Sequence, residues 1–434
     1  LEEFAESLRT KGKLRVVEKE ISKKFEISAV MHSIDGQAVL FENVKESDYR
    51  VIGNPFSSKE LIAEYLGFPS SELVPRMIKA LDSPSEPNQV EKADCHEEIE
   101  DKVDLDSIPI NRFTEIDGGN YITSGIFVAR DKELGLNVAF HRCMQLDKTR
   151  FSVRVLERNT MEFMKRNNGQ IDVAVCVGTP IQALLGAATS PKIGEFEFNI
   201  GNSLKEFDVV KAKETDVLIP AQTEFVLEGT LSINELEKEG PFLDLTSTFD
   251  FVREQPVFTV KKITHRKNAI WHALLPGGNE HRLLMGMPRE PTIYKETSKV
   301  AKVLDVNVTP GGCSWLHAAI KIDKQNDDEP RKVIEAAFRG HSSLKHAFVV
   351  DKDIDILNPN DIEWAMSTRF QCDKQLHSFP GEKGSSLDPS AEQPARKTCK
   401  TGFDLTIPSE REAKEFTRVE YPKIDLKKFL EGKK

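Results

Sequence analysis

The chain has 434 residues, 39% of them apolar and 30% charged, with a formal net charge of -10 at pH 7. That length allows two or three domains with sizeable cores, and the acidic balance without a long basic run argues against a nucleic-acid surface. No apolar run reaches membrane-spanning length, no basic-then-apolar leader is present, and six scattered cysteines lack the C-x-x-C spacing of a zinc site or a disulfide framework. The expectation is a reduced, cytoplasmic protein with no membrane span and no nucleic-acid partner.

In chain order, residues 1–10 read as a short amphipathic helix, and Ser28–Ile34 and Ala38–Phe41 flank Asp35-Gly36 as a hairpin. Ser57-Ser58-Lys59-Glu60 opens a helix whose apolar positions Leu61, Ile62, Tyr65 and Leu66 fall at helical spacing. A second helix, Ser71 to Leu81, follows Pro69. Ser83–Asp104 is polar, acidic and proline-containing, and reads as a linker. From about 105 the texture becomes sheet-rich: strands are expected at Tyr121–Ala129, Leu136–Met144, Phe151–Leu156 and Val173–Val177, with helices at Asn159–Arg166 and Ile181–Ala188. Further strands are expected at Val217–Ile219, Glu224–Leu231, Phe258–His265 and Ala269–Leu274. From about 300 the order is strand (Val303–Val308), Pro310-Gly311-Gly312 turn, strand (His317–Ile322), helix (Glu329–Phe338) and strand (His346–Val350), an α/β sandwich. Residues 373–402 read as a mobile loop, and Leu426–Leu430 as a last short helix able to pack on a neighbour.

Chemistry gathers in the central part. Glu239-Gly240-Pro241-Phe242-Leu243-Asp244 sets two carboxylates across a Gly-Pro bend, so both can lean into one pocket from its two sides. Paired acids in different environments are a usual way to build a general acid and its partner. On the strand Asn137–Arg142, alternation places Asn137, Ala139 and His141 on one face and Phe140 and Arg142 on the other. Arg142 suits a substrate carboxylate held through two hydrogen bonds, although a structural Arg–Glu ion pair explains the same residues. Thr189-Ser190-Pro191-Lys192-Ile193-Gly194-Glu195 offers backbone donors and one acid for a phosphate or metal. Neither G-x-x-x-x-G-K-[ST] nor G-x-G-x-x-G occurs, and the ten histidines include no H-E-x-x-H pair. His265, His272 and His281 read as strand-surface or interface residues, and Cys143 as a packed thiol. Residues alone lead to an anion-handling pocket with an acid pair.

Together these segments resemble the UbiD-like family of prenylated-flavin-dependent decarboxylases. The likeness is carried by Asn137-x-x-x-x-Arg142, Leu185-Gly186-Ala187-Ala188-Thr189-Ser190-Pro191, Glu195 with Phe196 and Phe198, and Pro220 to Gly229. It continues through Glu239-Gly240-Pro241-Phe242-x-Asp244, Ile263-Thr264-His265-Arg266, Pro310-Gly311-Gly312-Cys313 and Asp361 to Arg369. The resemblance implies an α+β fold: an N-terminal α/β domain and linker (1–104), a central split β-barrel of flavin-reductase type (105–299), and a C-terminal α/β domain with an oligomerisation helix (300–434). It implies Arg142, Glu239 and Asp244 as catalytic residues, with Asp244 the proton donor. Asn137 and Glu195 would ligate a divalent metal, typically manganese, that bridges the flavin phosphate; a potassium ion is a further possibility within the family. Ala139, Phe140, Arg142, Asn159 and the Ala188, Thr189, Ser190 and Pro191 backbone would contact the prenylated FMN, and Lys383 would reach its phosphate from the mobile loop. One departure is Asn159-Thr160, where ferulic acid decarboxylases carry a metal-binding histidine; Thr160 or a water would take that place.

The compact length and the Leu243-Asp244-Leu245-Thr246 form look most like the archaeal branch, which decarboxylates trans-anhydromevalonate 5-phosphate to isopentenyl phosphate in a modified mevalonate pathway. Lys192, Arg158, His141 or Lys383 would then hold the substrate phosphate. A decarboxylase of 4-hydroxybenzoate or polyprenyl-hydroxybenzoate type is the alternative, and a non-catalytic flavin-binding relative is a second. A flavin prenyltransferase to supply the cofactor and self-association into a dimer or higher homo-oligomer are the implied partners.

Overall fold

The computed structural model describes residues 1–419 and 421–425; the expected helix Leu426–Leu430 lies outside the described residues. The N-terminal part is a four-stranded sheet in the order Leu14–Val17, Ala38–Phe41, Arg50–Gly53, Ile270–Ala273. Its last strand comes from the far end of the central part and pairs parallel with Arg50–Gly53. The helices Glu2–Thr10, Lys59–Leu66 and Leu73–Asp82 pack beside it. Ser58 caps Lys59–Leu66 by accepting from the Leu61 N–H at 3.1 Å, and Gly67 ends it at φ 88°. The expected hairpin at 28–41 is instead a helix, Glu26–Ser33, followed by the strand Ala38–Phe41. Ile27 and Met31, four apart, are both buried on one helix face, so the period is helical rather than alternating.

The central sheet follows the order Tyr121–Ile122, Cys143–Gln145, Arg150–Val153, Arg253–His265, Phe225–Glu239, Gln170–Val177, Ile126–Asp131, Gly135–Phe140, with Glu98–Ile99 added on Arg253–His265. All its pairings are antiparallel. Strands from both ends of this order contribute to one core, including Tyr121, Phe127, Phe151, Val173, Leu227 and Phe258. A sheet whose two ends share a core must curl, and the 13- and 15-residue strands bend through irregularities at Glu228/Gly229 and Ser232/Leu236. The segment 83–104 is not only a linker. Its Asn88–Val90 pairs with Asp208–Lys211 and its Glu98–Ile99 with the central sheet, so backbone pairing crosses the division expected at 104.

Between the N-terminal helices and the central sheet lie Ile181–Ala187 and Glu197–Leu204, the first with every residue buried. They approach so closely that a Cβ on Gly186 would sit 2.5 Å from the Glu197 carbonyl oxygen. The C-terminal sheet runs Val303–Val308, His317–Ile322, His346–Asp351, Lys397–Leu405, Leu376–Lys383. Separate apolar clusters cover its two faces, one with Val333, Ile334 and Ala337 of the helix Glu329–Gly340, the other with Ile362 and Ala365 of Pro359–Arg369. The segment 373–402 therefore holds two antiparallel strands rather than a mobile loop, and Pro380 and Gly381 are taken up by a register shift on the sheet edge.

Candidate active site

The strand Gly135–Phe140 stops before His141-Arg142, and pairing resumes at Cys143–Gln145. The break frees Arg142 from the ladder, and its guanidinium becomes the hub of three carboxylates. Its Nε and Nη2 donate to the two oxygens of Glu239, both at 2.9 Å; Nη1 donates to Asp244 Oδ2 at 2.8 Å; and Nη2 also donates to Asp250 Oδ2 at 2.7 Å. Burial alone would lower the guanidinium's affinity for its proton, but these three acids outweigh it and raise the Arg142 pKa above its ordinary value. The ring of Phe242 lies 4.6 Å from the guanidinium carbon.

Glu239 ends the strand Phe225–Glu239 and is fully buried. Tyr121 donates to its Oε1 at 3.1 Å, so the carboxylate is held by a phenol as well as by the fork of Arg142. Asp244 lies past Phe242–Leu243, where the Gly240–Pro241 peptide is cis and Gly240 has φ 99°. Its Oδ1 accepts from the Leu245 N–H at 2.6 Å, and its side chain retains 16% exposure. The two acids thus differ, Glu239 sealed in and Asp244 open to a ligand. Gly118 sets the bend from behind: its N–H donates to Pro241 O at 2.8 Å, and a Cβ there would fall 2.2 Å from Gly240 O. Asp250, on the return strand Phe249–Asp250, was invisible as a site residue in the sequence. Arg253 donates to its Oδ1 at 2.5 Å and Arg154 lies 3.7 Å from Oδ2, so three acids face three guanidiniums. Although burial works to raise it, Arg142 and Arg253 hold the Asp250 carboxyl below its ordinary value.

A set of oxygen donors meets around residues 137–141, one on the strand Gly135–Phe140 and two on the helices Asn159–Arg166 and Glu197–Leu204. Asn137 is buried and its Oδ1 accepts from Asn159 Nδ2 at 2.9 Å. The carboxylate of Glu197 accepts from the neighbouring Val138 N–H at 2.8 Å. Burial pushes the Glu197 carboxyl up to about 7, against the opposing pull of the Val138 N–H. Thr160 is buried against His141: His141 Nδ1 faces Arg154 O at 3.2 Å, so Nε2 accepts from the Thr160 hydroxyl at 2.9 Å. Burial, with Arg158 nearby, lowers the His141 pKa to about 4, which keeps the ring neutral. The hydroxyl oxygen of Thr160 keeps its lone pairs. Asn137, Glu197 and Thr160 are hard oxygen donors, the chemistry that a divalent cation takes.

Glu195 stands elsewhere. It is exposed, and its carboxylate accepts from the Lys192 N–H at 3.2 Å; no hydrogen bond joins it to Asn137 among the described residues. The reason is local. The helix begins at Glu197, which turns that side chain inward and leaves Glu195 on the preceding loop. Lys383 is exposed on the outermost strand of the C-terminal sheet, opposite Lys397, and among the described residues it has no bond to the other expected site residues. Ala139, Phe140, Ala188, Thr189 and Pro191 are half-buried and Ser190 is exposed. Of the histidines read as surface groups, His272 is fully enclosed and paired with Glu280 at 2.8 Å, and His265 is buried against Tyr49 and Glu100. His281 faces the site, where the charges of Asp244 and Arg142 reach it.

An acid–guanidinium cluster beside an oxygen-donor set, carried on a curled antiparallel sheet between two α/β parts, defines the class. The chain belongs to the UbiD family: models described as the N-terminal, Rift-related and C-terminal domains of 3-octaprenyl-4-hydroxybenzoate carboxy-lyase match residues 5–81, 88–279 and 282–405. Among its relatives is the anhydromevalonate phosphate decarboxylase of Methanothermobacter thermautotrophicus, 38% identical over 93% of this chain and 96% of that one. The UbiD-class enzyme HmfF from Pelotomaculum thermopropionicum, solved in complex with FMN, is 32% identical, covers 99% of both chains and superposes with a TM-score of 0.95. An evolved dimeric form of HmfF, solved in complex with prFMN, gives 31% identity and a TM-score of 0.91 over 99% of both chains.

Proposed function

We propose that the protein is a prenylated-FMN-dependent carboxy-lyase that converts trans-anhydromevalonate 5-phosphate to isopentenyl phosphate and CO2. The observation that carries this reading is Arg142, forked onto Glu239 and bridged to Asp244, in a chain 38% identical to an anhydromevalonate phosphate decarboxylase. A binding module has no need of two acids in such unlike settings, which speaks against a non-catalytic relative.

Arg142 binds the substrate carboxylate. Glu239 and Tyr121 fix the plane of its guanidinium, so little orientation is lost when substrate arrives. The carboxylate of the substrate replaces Asp244 or Asp250 on Nη1 or Nη2, since Glu239 takes the inner edge. Asp244, released from Arg142 and more open than Glu239, takes up a proton from solvent and passes it to the carbon that loses CO2, returning to its carboxylate. Phe242 and Leu243 shield that carbon from water. The modified flavin, when bound, supplies the electron sink that decarboxylation of an unsaturated acid needs. Ala139, Phe140, Asn159 and the Ala188–Pro191 backbone would hold it. Asn137, Glu197 and Thr160 would hold a divalent metal, with Glu197 in place of Glu195, and that metal would supply positive charge toward an anionic part of the cofactor. Manganese is the proposed ion, with potassium proposed as a second one.

The proposed setting is cytoplasmic, with cofactor supplied by a flavin prenyltransferase and the chain self-associated as a dimer or larger homo-oligomer. No helix among the described residues is long and apolar enough to cross a membrane, and the evolved dimeric HmfF offers one precedent for self-association. The test is product analysis with protein co-expressed with a flavin prenyltransferase and supplied with manganese. Isopentenyl phosphate formed from trans-anhydromevalonate 5-phosphate is the expected result. Turnover of 4-hydroxybenzoate in its place would move the protein to aromatic acids.

A further inference from the structure

One strongly cationic place near the site has no acid to balance it among the described residues. The helix Asn279–Gly286 and the turn Met287–Arg289 form one continuous segment. His281, near its start, accepts from the Gly277 N–H through Nδ1 at 3.1 Å and adjoins Asp244 and Arg142. Arg289 closes the segment. Its Nη2 donates to Ala188 O at 3.1 Å, and Nη1 and Nη2 both donate to Ser190 Oγ at 3.3 Å. Its Nε is buried with no hydrogen-bond partner among the described residues, and the Trp315 ring lies 5.5 Å from its guanidinium carbon. No carboxylate pairs with it among the described residues. Arg158, immediately before the helix Asn159–Arg166, likewise has no side-chain hydrogen bond or ion pair there, yet its charge reaches both Arg289 and His141. Burial first, then Arg158, pushes Arg289 down to about 10.

A guanidinium held largely out of water with a spare donor and no carboxylate beside it is costly unless an anion lies against it. The contrast with Arg142 is direct, since that guanidinium meets three carboxylates. A planar fork with an unused Nε–H matches the oxygens of a phosphate. We propose that Arg289 and Arg158 form a binding site for a phosphomonoester dianion, and that this dianion is the phosphate end of the substrate whose carboxylate Arg142 holds. The inference rests on the decarboxylase reading above. It adds Arg289 to the cations that the sequence offered for this role, and of those it retains Arg158. A phosphate borne by the flavin would present the same chemistry, so the test must separate the two sources.

Arg289→Gln and Arg158→Gln are compared with the wild-type holoenzyme by three readouts: KM for trans-anhydromevalonate 5-phosphate, flavin absorbance per chain, and the rise in melting temperature given by inorganic phosphate. The expected result is a KM raised about 10- to 100-fold in each variant, flavin content at the wild-type level, and loss of the phosphate-induced stabilisation. Arg289→Lys, which keeps the charge and loses the fork, should fall between wild type and Arg289→Gln. Unchanged KM and unchanged phosphate stabilisation overturn the site. Loss of flavin with KM unchanged assigns the dianion to the cofactor and overturns the substrate assignment. If the wild-type protein does not turn over this substrate, the decarboxylation reading fails by itself. Phosphate stabilisation then judges the anion site alone, supporting it if Arg289→Gln abolishes the effect and refuting it if not.

Discussion

At the scale of single residues, the site is decided by which charges are sealed and which stay reachable. Glu239 is fully buried and is tolerated there because Arg142 and Tyr121 hydrogen-bond it; removing Arg142 would strand that charge at a cost of about 3–5 kcal/mol. Arg142→Ala thus confounds folding with chemistry, whereas Asp244→Asn is the cleaner probe. Arg142, Glu239 and Asp244 were singled out because two acids flank a Gly-Pro bend and because their order along the chain matches the family's, and the structure brings the three side chains together. Asp250 was not, because no turn or strand pattern marks Phe249-Asp250, and only the pairing of that strand with Phe242–Leu243 carries its carboxylate to Arg142. The choice between Glu195 and Glu197 also exceeded the sequence. Both sit in Glu-Phe-Glu-Phe, and only the start of the helix at Glu197 decides which one turns inward. Glu197→Gln should therefore lose bound divalent metal while Glu195→Gln keeps it, as measured by elemental analysis of purified protein. Metal lost only in Glu195→Gln would reverse the assignment.

At the scale of elements, two strands and one bend do the positioning. The end of Phe225–Glu239 delivers the sealed acid, Phe242–Leu243 leads to the open one, and Gly118 supports the turn between them through a hydrogen bond of 2.8 Å. Gly118→Ala would drive a methyl group into Gly240 O, displacing both acids together. A displacement of about 1 Å is enough to cost ~100-fold in rate, so kcat should fall by that order while the flavin spectrum is retained; wild-type kcat would show that the bend tolerates the shift. Elements with a clean period, such as Asn159–Arg166, Val303–Val308 and His317–Ile322, have the same bounds in the sequence reading and in the structure. The misread ones have mixed signals. Residues 28–34 carry β-branched residues on a helical face, and 376–405 are strands interrupted by Pro380 and Gly381. Arg289 lies in a segment, 279–297, whose helices begin without a local side-chain cap. The first is capped from afar, Asp35 accepting from the Asn279 N–H at 3.0 and 3.2 Å. The turn read as a hairpin signal serves instead as a helix cap.

Across the whole molecule, the N- and C-terminal parts are tied through buried charge. Lys59, on an N-terminal helix, donates to both oxygens of Glu290 at 2.8 and 2.9 Å and reaches Asn307 Oδ1 at 3.3 Å in the C-terminal sheet. Burial raises the Glu290 pKa, and Lys59 opposes that rise. Lys59→Met leaves a buried acid without its cation and should cost about 3 kcal/mol in urea unfolding; an unchanged midpoint would mean that the tie carries no weight. Sequence motifs could not show this link, since 231 residues separate its partners. The central claim is that this three-part frame presents Arg142 and Asp244 to an unsaturated phosphorylated acid. The most direct test is CO2 release from trans-anhydromevalonate 5-phosphate by flavin-loaded wild-type protein and by Asp244→Asn at equal flavin content. Steady release by the wild type and a loss of at least ~100-fold in the variant are expected. Equal release by both would contradict the central claim, because Asp244 would then not be the proton donor.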